Sequence, residues 1–176
     1  LGRMMLSVDG LEHRRLRQPF DRSFTRREVH HHYESIVDEV TRDLIDGMVE
    51  QGGGELTSDF AVPFSIRVAA RILGIGLSDT AAVEHIYARL AAAMSYGTDP
   101  QLHVHAASAR RELDELLRPE VDRVRRTPGV AHTPDHQPLS DPEILAQLRV
   151  ILFGAIETIQ SSVLGSVLLL LTHPDQ

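Results

Sequence analysis

Ser140-Asp141-Pro142-Glu143 opens the stretch that decides the fold, Phe153-Gly154-Ala155-Ile156-Glu157-Thr158 forms its middle, and Leu171-Thr172-His173-Pro174 closes it. Ser140 and Glu143 have capping-box spacing, and Pro142 falls in the first helical turn, where its missing amide is harmless. The spacing predicts one helix from about residue 141 to 172, on the order of 50 Å long at ~1.5 Å per residue. Residues 150–171 are apolar enough to raise a transmembrane reading. Against it, Glu157, Gln160, Ser161, Ser162 and Ser166 interrupt the run, and a central acid costs roughly 2.5–3.5 kcal/mol on insertion scales. The expected element is therefore the buried central helix of a soluble domain.

Further helices are predicted on the N-terminal side. A helix over residues 100–126 is followed by a loop over 127–139 rich in Pro, Gly and His. Ser78 and Asp79 cap a helix that ends near Tyr96-Gly97. Pro63 opens another over 64–73, closed by Gly74 and Gly76, and residues 55–60 are read as a short extended piece. In the helix predicted over 26–51, Val29, Tyr33, Ile36, Val37, Val40, Leu44, Ile45 and Met48 recur at three- and four-residue intervals, which makes one apolar face. Thr25 caps that helix and Gly52-Gly53-Gly54 ends it. The first helix, over 11–24, is capped by Asp9 with Glu12 in the capping-box position, and Pro19 should disturb it.

Composition fits one soluble globular domain, with 42% hydrophobic and 24% charged residues. Three Tyr, five Phe and no Trp leave little to build strands, so the fold class expected is mainly α, in a single partial domain over 1–176. A net charge of −7 argues against nucleic acid as a partner. With no Cys the chain has neither a disulfide framework nor a thiolate ligand, and cytoplasmic residence with no membrane association is the expectation.

Two constellations carry chemistry. His13 and Arg17, four residues apart, share a helix face, and both can donate to a carboxylate. Arg14, Arg15 and Arg22 nearby make a solvated basic face the plainer alternative. In the long helix, Gly154 and Ala155 allow close approach to the backbone, and Glu157 is costly there unless used or paired. The Thr158 hydroxyl can bond back to a carbonyl one turn earlier. Packing between helices, with Glu157 meeting an Arg, is the competing account.

The run Asp9-Gly10-Leu11-Glu12-His13-Arg14-Arg15-Leu16-Arg17, followed by Phe24-Thr25-Arg26-Arg27, resembles the helix C signature of bacterial cytochrome P450 enzymes. Leu139-Ser140-Asp141-Pro142-Glu143, Phe153-Gly154-Ala155-Ile156-Glu157-Thr158 and Leu171-Thr172-His173-Pro174-Asp175-Gln176 resemble helix I and its exit turn. The resemblance covers essentially the whole chain and implies a partial P450 fold, helices C to I, with a long central helix I. It implies haem as cofactor, with His13 and Arg17 on the propionates and Leu6 and Phe24 against the ring. It implies that Gly154, Ala155 and Thr158 line the distal groove, with Glu157 and Thr158 as the catalytic acid and alcohol that relay protons to dioxygen. Val150, Phe153 and Ile156 would face an apolar small-molecule substrate, and electrons would come from a ferredoxin and ferredoxin-reductase type of redox partner. The cofactor supplies the oxidative chemistry, while the protein orients it and provides the proton path.

The chain departs from the family pattern in several places. Gly154-Ala155 reverses the usual Ala-Gly order, which puts a methyl group near the oxygen site, and Ile159 replaces the common second Thr. The loop before Ser140 is short. The family's Glu-x-x-Arg helix and Cys-containing haem loop would follow Gln176, so the 176 residues alone are expected to be inactive, although the resemblance implies an oxidoreductase parent. Two other readings remain: an all-helical regulatory or binding module that keeps half of the fold, contacting partners through the arginine-rich surface, and a helical protein anchored by its last helix. His30-His31-His32, His103 with His105, and His132 with His136 invite a metal reading, but no set completes a closed shell at ligand spacing.

Overall fold

The computed structural model describes residues 3–77, 79–95, 100–127 and 138–175. Among these every regular element is helical. A 3-10 turn, Met5–Ser7, leads to α1, Gly10–Asp21, which Gly10 enters at φ +61. The helix runs past Pro19 and then tightens into a 3-10 turn, Arg22–Phe24. Thr25 caps α2, Arg26–Glu28, its hydroxyl accepting from the Glu28 N–H at 3.4 Å. A π-helical segment, Val29–Tyr33, carries the chain into α3, Glu34–Glu50. Gly52 and Gly53 then turn it at φ +77 and +139.

The structure corrects the extended reading of residues 55–60, because Leu56–Ala61 is π-helical. Its start is capped from both sides: Glu55 accepts from the Ser58 N–H, and Asp59 accepts from the Glu55 N–H at 2.7 Å. The polar groups read as strand flanks are thus helix caps. Next comes α4, Val62–Leu73, with Pro63 in its first turn, closed at Gly74 by the Ile75 N–H bonding to Ala70 O at 2.9 Å. Gly74 has φ +69, and a Cβ there would stand 2.4 Å from Thr127 Oγ1, so only glycine fits.

Asp79 caps α5, Thr80–Ser95, by accepting from the Ala82 N–H at 2.9 Å. Ser78 and Tyr96-Gly97, read as cap and terminus, lie outside the described residues. The single helix expected over 100–126 is instead α6, Pro100–Leu117, a 3-10 turn Arg118–Glu120, and α7, Val121–Arg126. Pro119 explains the break, since its ring removes an amide and clashes with the preceding turn. Most of the loop before Ser140, with His132 and His136, lies outside the described residues. The last element, α8, Asp141–Thr172, carries the predicted capping box at Ser140 and Glu143 and has 32 residues.

The core forms where α1, α4, α5, α6 and α8 meet, around Leu16, Ile66, Val83, Leu113, Leu148 and Leu152. Burying such side chains is worth roughly 1.5–3 kcal/mol each. In α8, residues 144–150 are buried without a break, so the helix is surrounded there. From Glu157 to its end no residue is buried. The expectation of a buried central helix therefore holds for its first half and fails for its second. By length and composition α8 could cross a membrane. The one-face reading of α3 also needs correction: Val40 and Leu44 are buried, but Ile45 is 46% exposed. Ile45, Met48, Val49, Leu56, Phe60 and Val167 instead line an open apolar groove.

Candidate haem-facing site

Helical phase on α8 sorts the side chains of the central motif. A Cβ built on Gly154 would meet nothing within 4 Å, so this position faces open space. Thr158, one turn on, is exposed and donates its hydroxyl to Gly154 O at 2.7 Å. That commits the proton to the helix and leaves the oxygen's lone pairs to accept. Ala155 packs against the core, so the methyl added by the reversed Gly-Ala order lies on the packed side and the open position is Gly154.

Glu157 is exposed and has no ion pair among the described residues. It shares a cleft of about 220 Å³ with Glu84, Tyr87, Phe153 and Gln160. Tyr87 supports this wall. It is buried, its ring lies 5.8 Å from Phe153, and its hydroxyl donates to Arg149 O at 3.4 Å. Burial pushes its hydroxyl pKa well above the usual range, so it stays neutral.

Of the three residues expected to face substrate, Phe153 and Ile156 line the same cleft and Val150 does not. Phe153 lies part-buried against Tyr87. Val150, 6% exposed, packs with Met4 and Ala146. Ile156, 3% exposed, belongs to the main core and also borders the cleft that Phe153 and Glu157 line. Its helical phase, two residues from Gly154, points it away from the Gly154 side.

On α1, Leu16 and Phe20 turn into the core. His13 is half-buried, and Arg17 is exposed and pairs with Asp21 at 2.8 Å. Leu6, 78% exposed, and Phe24, 47% exposed, flank α1 on its two sides as apolar side chains left in water. The α1 region is tied to α8 by polar contacts that the sequence reading missed. The Met5 N–H donates to Gln147 Oε1 at 2.9 Å, Gln147 donates to Glu143 O at 3.2 Å, and Arg15 bridges Glu12 and Glu143. Arg149 is buried and pairs with Asp114. Gln147 and Arg149 are polar breaks in an apolar run, and that interruption was the available signal. Among the described residues no group of His, Asp and Glu is arranged to hold a metal ion.

No protein-family model matches the chain. Nocardicin C N-oxygenase of Nocardia uniformis subsp. tsuyamanensis is 31% identical to it, over 98% of this chain and 44% of that protein. Cytochrome P450 107B1 of Saccharopolyspora erythraea is 27% identical, over 100% of this chain and 43% of that protein. The solved structure of P450BioI, in complex with an acyl carrier protein ligated to hexadec-9Z-enoic acid, superposes with a TM-score of 0.80 at 24% identity, covering 98% of this chain and 46% of that one. The chain belongs to the bacterial cytochrome P450 fold family.

The chain spans just under half the length of these P450 relatives. It is mainly α and covers the helix C to helix I part of the P450 fold, with α8 as the long helix. The link between the two P450 helices carries a pH dependence. The Arg15 guanidinium beside Glu143, with the Ser140 N–H and hydroxyl, holds its carboxyl down to about 2 from 4.5. A folded value below the unfolded one stabilises the protein above about pH 4.5 and is lost as pH falls toward 2. Both side chains are about 30% exposed, so solvent screening reduces the contribution to roughly 1–2 kcal/mol. Glu143→Gln is expected to lose that amount at pH 7 and to flatten the fall in stability between pH 4.5 and 2. Denaturant melts at pH 7 and pH 3 check this, and parallel pH profiles for parent and variant would contradict it.

Proposed function

We propose that the full-length protein is a haem-thiolate monooxygenase that inserts one oxygen atom from dioxygen into an apolar small molecule, and that this chain supplies the distal wall and one edge of the haem site. The observation that supports it best is the open backbone at Gly154 with the Thr158 hydroxyl one turn away. His13 and Arg17 would hold the propionates, and Leu6 and Phe24 would cover the ring. Haem, when bound, activates dioxygen with electrons delivered by a ferredoxin-type partner. Thr158 and Glu157 hold and move protons beside Gly154, and Phe153 borders the substrate space. Ile156 borders the same cleft. We read residues 1–176 as one part of a larger catalytic domain acting in the cytoplasm. With no Cys, the thiolate has to come from outside these 176 residues.

The residues present fit the group. Among the described residues Arg17 is held only by an exposed pair with Asp21, and such pairs are worth about 0–1 kcal/mol. A propionate offers a charge-assisted bond of roughly 1.5–3 kcal/mol, so exchanging partners is favourable. In the full-length protein, His13→Ala and Arg17→Ala are each expected to weaken haem retention about tenfold or more. The test is haem transfer to an excess of apomyoglobin. Transfer no faster than from the parent would remove both residues from the haem site.

A further inference from the structure

A second polar cavity, of about 260 Å³, lies between the start of α8, α1 and α6. Arg3, Arg110 and Arg149 line it together with Glu12, Glu143 and the buried Leu16. The charges there do not cancel. Glu12 is engaged by Arg15 at 3.0 Å and Arg3 at 3.2 Å, Glu143 by Arg15, and Asp114 by Arg149. Four cations, Arg3, Arg15, Arg110 and Arg149, therefore meet three anions, Glu12, Glu143 and Asp114, which leaves one positive charge over. Arg110 has no ion pair among the described residues.

Arg149 is the second sign. Only 7% of it is exposed, and while one end of its guanidinium is bonded to Asp114, its Nε–H is buried with no partner. An unmet buried donor costs roughly 1–3 kcal/mol, more on a charged group, and is rare unless a water or ion completes it. Both carboxylates in the wall stay ionised, since their Arg neighbours hold them below the usual carboxylate range. They are neutralised where they stand, and neither can turn to serve Arg149 or Arg110 without leaving Arg15.

We infer that this cavity binds an oxyanion group, a carboxylate or phosphate, between Arg110 and Arg149, at a site separate from the Gly154–Thr158 groove. Planar guanidinium groups match two oxygens of such a group at once. The apolar floor provided by Leu16 and Ala146 keeps the local dielectric low and strengthens the pairing. Arg3, on the segment leading into α1, would fold over the bound anion. Occupation would then fasten that segment to α6 and α8.

The test uses the full-length, haem-loaded protein at constant ionic strength, with inorganic phosphate, acetate and chloride as probes. Phosphate or acetate should raise the melting temperature more than chloride does, and phosphorus NMR line broadening should report saturable phosphate binding. Arg110→Gln should weaken either anion about tenfold, and Arg149→Lys, which keeps the charge but loses the fork, should weaken it further. A response to phosphate alone supports a tetrahedral dianion as the ligand, and a response to both probes supports a carboxylate. The site is overturned if neither anion exceeds chloride, or if Arg110→Gln binds as the parent does. Arg110 is exposed, so its variant stays informative even where Arg149→Lys fails to fold.

Discussion

Expressed as these 176 residues and supplied with haem, the chain is expected to show no thiolate-type absorption band on reduction under carbon monoxide, and to elute as an oligomer. The first result follows from chemistry, because a chain without Cys has no thiolate to offer. The second follows from area. Leu168, Leu169, Leu170 and Leu171 are each 61–75% exposed along the end of α8. Ile45 and Val49 add to this surface through the groove they share with Val167. Leaving such side chains in water forfeits roughly 1.5–3 kcal/mol apiece, and soluble monomers rarely expose contiguous apolar patches of this kind. Absorption spectra and size-exclusion chromatography with light scattering measure the two. A monodisperse monomer with a thiolate spectrum would refute both.

Thr158→Val in the full-length protein is expected to leave haem bound and the fold unchanged while product formed per reduced cofactor falls about tenfold and hydrogen peroxide rises. A positioned group that takes part in proton transfer commonly contributes 10²–10⁴-fold, and the smaller figure allows for water entering the open position at Gly154. Valine keeps the side-chain shape but has no hydroxyl. The bond it removes, to Gly154 O at 2.7 Å, lies within one exposed helical turn, so stability should change little. Coupling ratios from product and peroxide assays, beside thermal melts, separate the two effects. An unchanged product yield would exclude Thr158 from proton handling.

The helices were legible because their ends carry local chemistry. Ser140 with Glu143, Thr25, Asp79, Pro63 and Gly74 each cap or start an element within a few residues of where they stand. The errors came where a local signal admits two readings or was passed over. Glu55 looked like the edge of an extended piece because its cap on Ser58 forms only once the chain turns there. Pro119 was read through because a long amphipathic pattern continues on both sides of it. Thr158, with its bond to Gly154 O, was read from its position on α8. Tyr87 had no signal at all. Its importance arises from meeting Phe153 and Arg149 O, 62 residues away along the chain.

The uneven burial of α8 implies an uneven rigidity along one rod. Amides over residues 144–152 sit inside the core and should open to solvent only when the whole molecule unfolds. Beyond residue 160 the helix has solvent on most of its surface and takes its order from whatever packs onto it. Gly154 and Thr158 fall at the crossing between these regimes. The hydroxyl is therefore held from its anchored side, while the turns that follow are free to move with whatever covers them.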